Sequence, residues 1–170
     1  MSLLRRRARL PAAVKARLDL PRGDRALAIA ELTDGWAVAS TQRLHVLPND
    51  ETATTARAWS DVDSARLDAE TAQLTLTWVD GAPATVLRLA DETSIVLPRA
   101  VHERVQSSVV HTEKVALPRG ANVRVALRRD PEGNLLTQVL GTGDVDLTDP
   151  GTARLVDAAE ARVREAAGLH

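Results

Sequence analysis

Four histidines carry the first chemical question: His45, His102, His111 and His170. A catalytic or structural metal site needs ligands at paired spacings, such as His-x-His or His-Glu-x-x-His. None of the four has such a partner. Glu103 follows His102, but no His lies four residues on. Asp61-Val62-Asp63 offers two carboxylates. An oxygen cage for a hard cation takes about six to eight ligands at defined spacing, so this segment reads as a solvated loop. Gly141-Thr142-Gly143 lacks the third glycine of a dinucleotide loop and precedes acidic sequence, so it reads as a turn. No serine sits in the Gly-x-Ser-x-Gly elbow of an acyl-transfer nucleophile. The chain has no cysteine, which excludes disulfides, thiolate metal sites and a cysteine nucleophile. These residues predict no catalytic centre, no metal and no cofactor.

The remaining concentration of chemistry is cationic. Arg5, Arg6, Arg7 and Arg9 place four guanidinium groups within five positions. Residues 1–25 hold eight Lys or Arg against two Asp, and the rest of the chain holds fourteen against twenty-one acids. A basic arm on an acidic body can seek phosphates or an anionic lipid surface. The same arm can instead pack through Leu3, Leu4, Leu10 and Val14 and pair with the body's own carboxylates. Specific nucleic-acid binding is not expected. Three tryptophans are the whole aromatic content, too few for a base-stacking platform, and the body is acidic. Leu3 and Leu4 precede the arginines, the reverse of a secretory leader. No stretch approaches the roughly 20 apolar residues of a membrane span. The expected location is the cytoplasm, with a membrane-peripheral position as the alternative.

The elements that must position these residues are mostly strands. Trp36 to Pro48 reads as a central hairpin, in which Trp36, Val38 and Ser40 alternate with alanines and Leu44 and Val46 alternate with polar residues. Period-two alternation is the signal of a half-buried strand. Further strands are predicted over 25–32, 56–60, 64–67, 72–79 and 84–90, which with the hairpin makes seven. Asp34-Gly35 and Asp80-Gly81 mark tight turns between them. The period then changes. Leu97, Val101, Arg104, Val105 and Ser108 recur at helical spacing, predicting an amphipathic helix over 96–108 with Pro98 in its first turn. Strands follow over 109–117, 122–129 and 135–140. Asp149-Pro150 opens a last helix that turns Val156, Ala159 and Val163 inward and stops at Gly168. Residues 3–18 have a partial apolar stripe broken by Pro11, so a helix either precedes that proline or starts at it.

At 170 residues the chain can bury a substantial core, and with no Phe or Tyr that core is aliphatic. Leu76, Trp78, Leu87, Leu89, Val101 and Val105 are expected to be buried together. At least two of Trp36, Trp59 and Trp78 should anchor the packing. Three parts follow: a basic helical arm over 1–23, a strand-rich body over 24–108, and a three-stranded extension with a C-terminal helix over 109–170.

Seven short antiparallel strands followed by one helix is the order of a pleckstrin-homology-like barrel. Val38-Ala39-Ser40-Thr41-Gln42-Arg43-Leu44 resembles the hairpin of bacterial pleckstrin-homology-like and GRAM-type domains, in which a strand ends in Thr and the next begins with Arg-Leu. Trp59-Ser60-Asp61-Val62 is similar to their hydrophobic-polar-Asp-Val segment two strands later. The resemblance covers residues 24–108. It implies an α+β, mostly β fold: an antiparallel barrel capped by a helix, here with a strand and helix extension. The whole chain also resembles a family of uncharacterised actinobacterial proteins of this length and takes no activity from them. Headgroup binding by such barrels uses basic residues at the first hairpin. Here that hairpin is Glu31-Leu32-Thr33-Asp34-Gly35, which is acidic.

The expected function is non-enzymatic binding or scaffolding. The partner is another protein, taken in a groove beside the capping helix, or a second copy of the chain. The alternative is a peripheral binder of anionic membranes or polyanions that acts through Arg5, Arg6, Arg7 and Arg9.

Overall fold

The computed structural model describes residues 8–50, 52–142 and 145–169. The chain divides into two compact units, Met1–Gln106 and Ser107–His170.

The first unit opens with a short helix, α1 (Ala12–Arg17), which starts directly after Pro11. Proline suits that place because the first amide groups of a helix have no intrahelical acceptor. Seven strands follow: β1 (Ala26–Leu32), β2 (Gly35–Ser40), β3 (Arg43–Pro48), β4 (Thr55–Ala58), β5 (Val62–Asp68), β6 (Gln73–Trp78) and β7 (Thr85–Arg88). They form two antiparallel sheets, β1-β2-β3-β4 and β5-β6-β7. Helix α2 (Val96–Ser108) comes next. The unit is not a closed barrel. Among the described residues its two sheets are joined by an isolated bridge between Leu32 and Leu89, where Thr33 N–H donates to Arg88 C=O and Ala90 N–H to Glu31 C=O.

One aliphatic core fills the space between these sheets and α2. Leu76, Trp78, Leu87, Leu89, Val101 and Val105 all belong to it, as their shared faces predict. Trp59 and Trp78 are buried anchors, whereas Trp36 is half-buried. β6 shows why alternation reads well here, since Leu74, Leu76 and Trp78 point inward and the residues between them are half-exposed.

Two local expectations change. Trp59 and Ser60 do not continue a strand; Trp59–Asp61 is a single 3-10 turn. Ala72 does not begin β6. It closes the preceding turn in the left-handed region, at φ 51, and its carbonyl accepts from Leu89 N–H. Gly35 answers to a different demand. A Cβ there would strike the Leu47 carbonyl oxygen and Pro48 Cα on β3, so close backbone approach forbids any side chain.

The second unit contains β8 (Val109–Ala116), β9 (Asn122–Arg129), β10 (Leu135–Thr142) and helix α3 (Pro150–Ala166). The strands form an antiparallel sheet in the order β10-β9-β8. Val123, Val125 and Leu127 face Val156, Ala159 and Val163 of α3 in a second core. Asp149 caps α3 by accepting from Thr152 N–H at 2.7 Å. The Arg162 guanidinium makes a forked ion pair with Glu113 of β8, with Nε at 3.0 and 3.1 Å from the two carboxylate oxygens. Within the same unit Arg128 donates to Ser108 Oγ at 2.8 and 3.2 Å.

Candidate binding groove

β1 is the outer strand of its sheet, so one of its edges faces no neighbouring strand over most of its length. Its polarity follows from the register. Leu32 pairs with Gly35 across a two-residue turn, and Ala30 and Ala28 pair with Ala37 and Ala39. Backbone groups of alternate residues point to opposite sides of a strand. Glu31 C=O points away from β2, because it accepts from Ala90 N–H at 3.0 Å. Ile29, two residues earlier, therefore also presents its N–H and C=O on the open side. The register shift between Ala26 and Ala28 sits just before it.

A groove of about 460 Å³ runs along this edge, lined by Ala26, Ala28, Ile29, Ala30 and Glu31 of β1 and by Ala90, Asp91 and Val96. An adjoining recess of about 490 Å³ shares Leu27, Ala28 and Val96 and continues along α2 past Ile95, Arg99 and Glu103. Leu27 and Leu89 also line the first part, and the Ala28 and Ala30 side chains belong to the core. The rim is apolar and open, with Leu27 44%, Ile95 54% and Val96 47% exposed. Charged groups sit at particular points. Glu31 and Asp91 are exposed beside the first part, and Arg99 pairs with Glu103 at 2.9 Å beside the second. Ala8 also lines the first part.

Of the four arginines singled out from sequence, Arg5, Arg6 and Arg7 lie outside the described residues, and Arg9 is exposed. Arg17 donates to Pro48 C=O at 2.7 Å and to Thr52 C=O at 3.2 Å, tying α1 to the end of β3. His102 and His111 are exposed, and His170 lies outside the described residues. Asp61 is a partner of Arg57 at 3.9 Å. Arg57 also bonds Asp80 at 2.7 Å and lies 4.2 Å over the Trp78 ring, so these acids serve a surface cluster. Among the described residues no group of three or more His, Asp or Glu side chains could hold a metal ion. Gly141 and Thr142 end β10, and Gly143 lies outside the described residues.

Sequence reading missed the role of Asp24. Its carboxylate accepts from Ser40 Oγ at 2.7 Å, Thr41 Oγ1 at 2.5 Å, Gln42 N–H at 3.2 Å and Arg25 N–H at 2.9 Å. It thereby fastens the turn between β2 and β3 to the start of β1. Ser40 Oγ in turn accepts from Arg43 N–H at 2.9 Å, and its carbonyl accepts from Trp59 Nε1 at 3.1 Å. The Ser40-Thr41-Gln42-Arg43 turn is thus held by an acid sixteen residues upstream of Ser40. Burial alone would raise the Asp24 pKa, but the bonds from Thr41, Ser40, Arg25 and Gln42 outweigh it and hold the carboxyl below its ordinary value. His45 on β3 is 1% exposed, and its Nε2 is buried with no hydrogen-bond partner. Burial lowers its pKa, Arg43 adds to that, and Asp24 and Asp19 oppose it.

Comparison of the chain with protein-family models, with curated proteins and with solved structures returned no match. Among the described residues no helix is long and apolar enough to cross a membrane.

Proposed function

We propose that the first unit is a non-enzymatic binding module of pleckstrin-homology-like type that takes an extended segment of a partner protein as an added strand along β1. One observation carries the reading: the open edge of β1, with Ile29 N–H and C=O turned outward, borders an apolar groove against α2. Strand addition uses main-chain hydrogen bonds for affinity and side-chain pockets for selectivity. The groove supplies both kinds of contact. The order of a four-stranded sheet, a three-stranded sheet and a helix supports the pleckstrin-homology-like assignment. The acidic first hairpin, with Thr33 and Asp34 exposed, favours a protein partner over a phosphorylated lipid headgroup. Scaffolding through this edge also accommodates self-association, since a second copy can offer a strand.

The test is selection of peptides from a random phage-displayed library on the full chain, followed by amide mapping in solution. Selected peptides should shift the amides of Ile29, Ala30, Ala90 and Val96. Peptides that shift only amides elsewhere, or a selection that enriches none, would overturn the reading.

A further inference from the structure

We propose that the segment 10–24 is a strap over the outer face of the first sheet, and that a proton on His45 unseats it. The inference does not depend on what the β1 groove holds. It stands on three features of the first unit.

The first is a buried face away from the core. Ala37 and Ala39 of β2 and Leu44 and Val46 of β3 point into the core. Their neighbours Trp36, Val38, His45 and Leu47 therefore point to the opposite side of the sheet. Across the two strands Val38 pairs with His45 and Trp36 with Leu47. Val38 and Leu47 are 0% exposed and His45 1%, so something covers this face.

The second is a segment tied to both ends of β3. Arg17 of α1 donates to the carbonyls of Pro48 and Thr52 at one end. Asp24 accepts from Ser40 and Thr41 in the turn at the other. β3 is about 17 Å long at a strand's rise. The chain from Arg17 to Asp24 reaches roughly 23 Å, so it can run the length of β3 over His45. Leu10, Val14, Arg17 and Leu18 are half-buried at helical spacing, so one face of α1 is turned to the body. Asp19, just after α1, is near enough to act on the charge of His45.

The third is the chemistry of His45. Its Nε2 is buried with no hydrogen-bond partner. Protonation makes both ring nitrogens donors and places an unpaired cation under the strap. Asp24 and Asp19 favour that cation and Arg43 opposes it, but burial outweighs them all. On β2 this face carries the uncharged Trp36, Val38 and Ser40, and on β1 Glu31 sits opposite Trp36. Lifting the strap hydrates the ring. The strap is the part that yields, because a six-residue helix with no fully buried residue has little stability of its own. Asp24 stays ionised below the ordinary carboxyl value of 3.8, so the strap hinges where that acid holds the turn. Opening uncovers Val38 and Leu47, and acid pH thereby presents an apolar face that neutral pH hides. One pH unit below the ordinary histidine value an exposed ring is protonated about ten to one, so the open form gains up to about tenfold on the closed form.

The chain has no cysteine, so a single introduced thiol reports on one site. Val38→Cys probes the outer face and Val62→Cys the core, both at positions 0% exposed. Their rates of reaction with dithiodipyridine, each read relative to the exposed site in Ala116→Cys, are compared at about pH 7.5 and pH 5.5 in the full chain. The Val38→Cys rate should rise several-fold, up to about tenfold, on acidification, and the Val62→Cys rate should not. Adding His45→Gln should abolish the rise. Adding Arg17→Gln should raise the Val38→Cys rate at both pH values, because it unfastens the strap without touching the histidine. An equal rise at both thiols is general loosening and would overturn the proposal. So would a rise that survives His45→Gln, no rise at all, or an Arg17→Gln chain that still protects Val38→Cys.

Discussion

Asp24→Ala removes a side chain that receives four hydrogen bonds, three of them from the β2–β3 turn and one from the Arg25 amide. The hydroxyl bonds from Ser40 at 2.7 Å and Thr41 at 2.5 Å are the short ones, and the Gln42 bond is longer at 3.2 Å. A hydrogen bond to a charged group contributes about 1.5–3 kcal/mol net, and exposure moves each toward the low end. Asp24 is half-buried, and Ser40 Oγ keeps the Arg43 amide as a partner, so no buried hydroxyl is stranded. Counting only the two short hydroxyl bonds, at about 1.5 kcal/mol each, the loss should be about 3 kcal/mol. Urea denaturation followed by tryptophan fluorescence reads it out, because Trp36, Trp59 and Trp78 all lie in the first unit. Trp59 also bonds the Ser40 carbonyl directly. Asp24→Asn should fall between the two, since its amide oxygen still accepts. There is a second signature. Asp24 holds the His45 pKa up against burial, so Asp24→Ala should move the His45 titration further down. A stability change below about 0.5 kcal/mol, the scale of ordinary surface substitutions, would refute the role given to Asp24. An upward His45 shift would refute the electrostatics.

Leu76→Ala should cost roughly 2–5 kcal/mol in the same denaturation, because a fully buried leucine loses transfer energy and leaves a cavity. Gly35→Ala should cost roughly 1–3 kcal/mol through overpacking against the Leu47 and Pro48 backbone, and a neutral result would mean the β2–β3 approach is looser than described. Stability should depend on pH through His45. Its folded pKa lies below the ordinary 6.5, so the unfolded chain binds a proton that the folded chain refuses. That contribution is fully present above about pH 6.5 and is lost as pH falls through that value toward the folded pKa; urea midpoints at a series of pH values should show the fall, and His45→Gln should flatten it. At lower pH the depressed Asp24 value acts in the same direction, with stability present above the ordinary carboxyl value of 3.8 and lost as pH falls through the folded value.

The strands of the first unit were legible wherever one face is buried and the other is wet. β6 reads as Leu74, Leu76 and Trp78 against Gln73, Thr75 and Thr77, and it forms where its alternation places it. β2 is less legible, because Val38 is as buried as Ala37 and Ala39 on the opposite face. Helix α2 was visible from the change of period at Leu97, Val101 and Val105, all of them in the core. What sequence reading lost is non-local. Whether a strand has an open edge depends on which strands pair, and nothing within residues 26–32 announces that β1 stands outermost. Asp24 reaches across sixteen residues to Ser40, and no local pattern reports such a bond. Ala72 took a left-handed turn position usually given to Gly or Asn, so its residue type gave no warning. A groove beside the helix was an expectation about function; which backbone groups of β1 face outward follows from the register with β2.

Strand addition at β1, as proposed, runs through the outward backbone of Ile29. The most direct measurement compares Ile29→Pro with Ile29→Val for binding of one selected peptide by calorimetry. Proline at an outward-facing position of an edge strand removes only the donor on the open side and leaves the β2 ladder intact. Valine keeps that donor and most of the side chain. Removing the donor strands a peptide carbonyl, worth about 1–3 kcal/mol. Ile29→Val should bind within about threefold of the parent and Ile29→Pro at least about tenfold more weakly, with the tryptophan-monitored transition still cooperative. Equal binding by the proline variant would contradict strand addition at β1.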